Sequence, residues 1–134
     1  MTLYHTRYHI YRAALESVVY GFRHHIEVLK ERGRTPLRIV ASEGGARSPL
    51  WRQIAADVLN LPIAYLQDNP GASLAAAFVA GMGVGVFSSW QAMDRFVSIQ
   101  EITQPNPAHV PVYDRCYERY CALYEHLKDD FRQI

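Results

Sequence analysis

Gly44-Gly45-Ala46-Arg47-Ser48 is the stretch of this chain whose residue types and spacing fit a chemical task. Glycine has no Cβ, so its backbone takes φ > 0 and lies flat against a ligand. Leu37, Ile39 and Val40 precede it, with the apolar, β-branched character of a buried strand. Ser48 suits a helix N-cap, and Pro49 suits the first helical position, where a missing N–H costs nothing. Leu50, Trp51, Ile54, Ala55, Val58 and Leu59 then recur at helical spacing and define one buried face, with Asp57 expected on the polar face as a surface charge. Asn60 closes that helix in a left-handed turn, and Pro62 cannot continue it. A strand, a glycine turn and a helix N-terminus together offer a nucleotide a place to rest. They also suit an ordinary tight strand–helix connection, because neither GxGxxG nor GxxxxGK[ST] is present and no lysine follows the glycines.

Other chemically capable residues have plainer readings. His5 and His9, four apart, could offer two imidazoles to a metal, but no third ligand stands nearby and a solvent-facing pair is expected. His24 and His25 are adjacent and read as surface or boundary residues. Cys116 and Cys121, five apart on an expected helix, do not face each other. Two free thiols, and an N-terminus without the apolar core of a signal peptide, point to the cytoplasm. With 49% hydrophobic and 20% charged residues, the 134-residue chain has the composition of a soluble globular protein. Its net charge of +1 makes no electrostatic case for nucleic acid or an anionic membrane. No apolar run approaches the ~20 residues of a membrane span.

The elements that must position the glycines follow from periodicity. Residues 8–31 form a long amphipathic helix, with Tyr11, Leu15, Val18, Phe22, Ile26 and Leu29 on its apolar stripe, Ala14 and Val19 widening it, and Gly33 ending it. Residues 62–66 form a second short strand, and 67–71 a turn in which Asn69-Pro70 can begin a helix. Residues 71–81 are nearly all small, so that helix can approach a sheet or a ligand closely. Gly81, Gly83 and Gly85 end a helix instead of opening one, which makes them a C-cap and loop. Ser88 or Ser89 caps a short helix reaching Phe96, and 97–102 alternates like a short edge strand. Residues 103–111 are a proline-rich loop before a last helix, 112–131, striped with Tyr113, Tyr117, Tyr120, Tyr124, Leu127 and Phe131. The order of elements is α/β, yet two convincing strands rarely make a stable sheet. The whole chain is therefore expected to be a single partial domain.

The run GGARSPLWRQIAADVLNLPI resembles the glycine-glycine-alanine, basic, serine, then W-R-Q and A-D signature of the C-terminal actin-like domain of the FGGY carbohydrate kinases, the xylulokinase-like members in particular. HIYRAALES (9–17) is similar to the latter half of that family's second signature, with His9, Ala13, Leu15 and Glu16 in its allowed classes. GASLAAAFVAGMGVG is similar to the family's alanine-rich helix after the adenosine motif. The resemblance implies a partial actin/RNase H-like ATPase fold and the nucleotide-binding portion of a kinase that transfers a phosphoryl group from ATP, with Mg²⁺, to a sugar hydroxyl. It places Gly44, Gly45, Ala46, Arg47 and Ser48 on the adenosine side of ATP or ADP, with no catalytic residue and no metal ligand in this chain. Glu43 stands where a third glycine is usual. Pro49 replaces the asparagine of glycerol-kinase-like members, which favours a pentulose such as xylulose. The missing N-terminal kinase domain is the implied partner, and without it the isolated chain is expected to be inactive and to self-associate through an open edge or apolar face. A non-catalytic binding or regulatory module is the alternative reading.

Overall fold

Helix α2 (Pro49–Leu59) is the centre about which the other elements pack, because it is apolar on most of its circumference. The computed structural model describes residues 2–42, 44–66 and 71–133; residues 67–70 of the turn expected at 67–71, and Glu43, lie outside the described residues. The N-terminal helix α1 (Arg7–Glu31) leads to β1 (Ile39–Ser42), a 3₁₀ turn (Gly44–Arg47) and α2. Strand β2 (Ile63–Leu66), α3 (Ala72–Gly83), a second 3₁₀ segment (Trp90–Arg95), β3 (Glu101–Thr103) and α4 (Val110–Phe131) follow.

The local signals set the bounds of α2. The Ser48 hydroxyl accepts the Trp51 N–H at 3.4 Å, Pro49 opens the first turn, and Asn60 closes the helix at φ 49°. Asn60 tolerates that left-handed conformation because its short polar side chain costs less there than a branched one. The sheet runs β1-β2-β3, with β1 and β2 parallel and β2 and β3 antiparallel. Ile39 lies opposite Ile63, and Ala64 opposite Ile102. The edge strand expected over 97–102 is thus shifted to 101–103, and the proline-rich loop narrows, since Val110 and Pro111 already belong to α4. Proline fits there because the first helical turn needs no N–H from it.

The core joins Val19, Tyr20 and Ile26 of α1 to Ile54, Ala55, Ala56, Val58 and Leu59 of α2, with Ile63 and Tyr113. The long stripe expected on α1 is only partly buried: Tyr11, Val18, Phe22 and Leu29 are exposed. A 25-residue helix is about 37 Å long, while the four-residue strands span about 13 Å, so only its middle has something to cover. Likewise Leu37 is 87% exposed and lies before β1, and Leu50 is exposed. Arg23 ties three helices together: it donates to the Val58 carbonyl at 3.0 Å, pairs with Asp114 at 2.6 Å and lies over the Tyr117 ring.

The small-residue helix α3 buries only Phe78, which stacks on Phe87 at 4.6 Å and also meets Trp90. Gly81 lets that layer close: a Cβ there would fall 2.7 Å from the Phe87 ring. The helix runs through Gly81 and Gly83, two residues further than expected, and is capped at Val84; of the three glycines only Gly85, at φ +78°, lies in the following loop.

Candidate functional site

The glycine turn leaves the carboxyl end of β1 and enters α2, on the edge of the parallel pair where open α/β sheets take ligands. β2 runs the same way, and α3 is the next described helix along the chain. Gly44 has φ +50°, and a Cβ added to it would meet nothing within 4 Å. Its glycine is therefore required by conformation and leaves the backbone open to approach. Gly45 differs: an added Cβ would make ordinary contact with the Trp51 ring at 3.5 Å, so the protein itself does not demand glycine there. The turn winds as a 3₁₀ helix, and the Ser48 N–H closes it on the Gly45 carbonyl at 3.0 Å.

Ala46 is buried beneath the turn, so its methyl group anchors the loop from inside. The Arg47 carbonyl accepts from Arg52 Nη1 at 3.3 Å, and the Ser48 side chain serves as the cap. The first turn of α2 has fewer donors to offer than its position suggests. Pro49 has no N–H, and those of Trp51 and Arg52 go to the Ser48 hydroxyl and carbonyl.

Two charged residues of α2 shape this region and escape a periodicity reading. Arg52 is 3% exposed; its Nη1 donates to the Ala46 carbonyl at 2.7 Å, and its Nη2 pairs with Glu101 of β3 at 2.6 Å. Its guanidinium lies over the Tyr65 ring of β2 at 4.5 Å. Asp57, expected as a surface charge, is 1% exposed. Its Oδ1 accepts from Gln53 Nε2 at 2.8 Å and the Asn106 N–H at 2.7 Å, and its Oδ2 accepts from His109 Nδ1 at 2.8 Å. Buried carboxylates persist only when so satisfied. The signal that could have found both is a polar residue on a helix whose neighbours, Ile54, Ala55, Ala56, Val58 and Leu59, are buried on nearly every side.

The remaining candidates stand apart from the turn. His9 Nδ1 accepts the Thr6 N–H at 3.1 Å and caps α1, while His5 pairs with Thr2. His25 bonds to the Gly21 carbonyl and His24 lies beside Tyr124. Cys116 and Cys121 are free thiols on α4. Among the described residues no three His, Cys, Asp or Glu side chains gather as a metal site would need, and no helix is long and apolar enough to cross a membrane.

A mixed α/β unit with long helices on a small sheet, and a glycine turn at the end of its parallel pair, has its structural counterparts among sugar kinases of the actin-like ATPase fold. A crystal structure of xylulose kinase from Rhodospirillum rubrum matches 98% of this chain with a TM-score of 0.84 and 42% identity, over 27% of that protein. Residues 1–84 match the model of the FGGY family of carbohydrate kinases, C-terminal domain. Xylulose kinase of Staphylococcus epidermidis is 30% identical over 125 residues, covering 92% of this chain and 25% of the relative. That of Bacillus subtilis is 29% identical over 126 residues, again 25% of its length. The chain belongs to the FGGY family of carbohydrate kinases and spans about a quarter of the length of the relatives it matches.

Proposed function

We propose that this chain supplies the adenosine side of the nucleotide site of an ATP-dependent sugar kinase whose substrate is a pentulose such as xylulose. The observation that carries the reading is Gly44: its left-handed backbone, with open space where a Cβ would be, ends a parallel strand and leads into a helix. Gly44 and Gly45 lie against the ribose or α-phosphate, Ala46 holds the turn from beneath, and Arg47 and Ser48 flank it. The xylulose kinases among its relatives, and Pro49 at the start of α2, favour a pentulose over glycerol. ATP brings the transferable phosphoryl group. Mg²⁺ would be held by the nucleotide phosphates and by residues outside this chain.

The chain by itself is proposed to be inactive, and its affinity for nucleotide weak, on the order of millimolar or about −4 kcal/mol. The rest of the kinase is its proposed partner, meeting it along the outer edge of β1. An NMR titration of labelled protein with ADP, and separately with xylulose, tests this. Saturable shifts confined to residues 44–48 and 72–78, with none from the sugar, are expected. A well-dispersed spectrum indifferent to ADP would defeat the nucleotide reading and favour a non-catalytic module.

A further inference from the structure

Arg52 is a guanidinium taken almost wholly out of water, at 3% exposure. Such burial is costly unless every donor is met, and among the described residues Nε has no hydrogen-bond partner. The other two nitrogens are committed in opposite directions. Nη1 donates to the carbonyls of Ala46 and Arg47, the last two residues of the glycine turn. Nη2 reaches across β2, over the Tyr65 ring, to Glu101 on β3, 49 residues along the chain. A brace that leaves one of its own donors unmet is poorly explained by stability alone.

We propose that Arg52, held from behind by Glu101, is a positioning residue that keeps the Gly44–Arg47 turn in the shape a nucleotide meets; this rests on the nucleotide reading above. The turn needs holding because Gly44 gains more freedom than any other residue type once its neighbours let go. With Nη1 removed, the inward-facing Ala46 carbonyl loses its partner and the 3₁₀ winding loses its inner support. The ion pair to Glu101 fixes the guanidinium, and so passes the position of the sheet's far edge to the loop.

The test compares the protein with its Glu101→Gln and Arg52→Lys variants by amide hydrogen exchange and by ADP titration followed by NMR. Glu101 is half-exposed, and Gln keeps its size and an acceptor oxygen; Lys keeps the charge of Arg52 but can reach only one side of the brace. In Glu101→Gln the Ser48 amide, which closes the turn on the Gly45 carbonyl, is expected to exchange about threefold faster, and in Arg52→Lys about tenfold faster. ADP should weaken by matching factors, while the amides of Ile54, Ala55 and Val58 stay as they were. Equal acceleration in the turn and in α2 would mean a merely structural role and would overturn the proposal, as would unchanged turn exchange in both variants. If Arg52→Lys does not fold, Glu101→Gln decides. If the unaltered protein ignores ADP, the nucleotide reading fails, and the turn exchange alone still decides whether Arg52 holds the loop.

Discussion

Asp57 and Gly44 show how differently single residues can matter within one short unit. The Asp57 carboxylate accepts three hydrogen bonds, from α2, from the 104–109 loop and from His109 at the start of α4. It therefore docks α4 and its preceding loop onto α2. Asp57→Ala leaves the Asn106 N–H and the His109 ring without their acceptor, and a loss of about 3 kcal/mol in urea unfolding is expected. Asp57→Asn keeps an oxygen for Gln53 and Asn106 and turns an amide toward His109, whose ring can change tautomer and accept. Its cost should be under half that of the alanine variant, and equal costs would mean that the hydrogen bonds are not what Asp57 supplies. Gly44→Ala meets no steric obstacle, only the left-handed backbone, so a loss of about 1 kcal/mol is expected, with no change at Gly45→Ala beyond a contact with Trp51. On the nucleotide reading both variants should nonetheless lose ADP shifts, because each puts a methyl group where the ligand lies.

At the scale of elements, the aromatic seam between α1 and α4 governs behaviour at high pH. Tyr20 meets Tyr113, Tyr117 and Tyr120, and the Tyr113 hydroxyl donates to Glu16 and accepts from Arg12. Burial raises the Tyr113 hydroxyl above its ordinary value of 10.0, against the pull of Arg12; burial raises Tyr20 and Tyr117 further, with Cys116 beside the first and Cys121 beside the second. Below pH 10 folded and unfolded chains both hold these protons, and the groups leave stability unchanged. Above it the unfolded chain releases them first, binds fewer protons than the folded one, and gains stability relative to it. Unfolding free energy should therefore fall as pH rises past about 10, and ionisation of Tyr20, Tyr113 and Tyr117, followed by NMR of their ring carbons, should appear together with loss of helical signal. Ionisation of these three while the helices persist would contradict it. The elements that the sequence made legible are those bounded by local chemistry: Ser48, Pro49 and Asn60 act within a few residues of where they stand, and α2 begins and ends at them. The face of α1 was less legible, since periodicity marks which residues align but not how much of a long helix finds a partner. The site divides in the same way. The need for glycine at position 44 is local, whereas the Arg52–Glu101 brace joins residues 49 apart and exists only once β3 lies beside β2.

For the molecule as a whole, the outer edge of β1 is the decisive feature. Among the described residues no strand pairs with it, and Val40 is 52% exposed. Beside it a groove of about 450 Å³ opens between α1, β1 and α2, lined by Phe22, Ile26, Ile39, Ala41, Trp51 and Leu59. An unpaired strand edge next to an apolar groove is a template for another strand. The chain spans a quarter of its relatives, and the remainder of such a kinase is the proposed natural occupant. In its absence a second copy meets the same requirement, by pairing edge to edge and covering both grooves. Sedimentation of the purified chain should therefore show concentration-dependent dimers, which Val40→Lys should dissociate by setting a charge on each edge without touching the core side of β1. Helical content should be unchanged in that variant. A monomer at the highest attainable concentration would count against self-association through this edge.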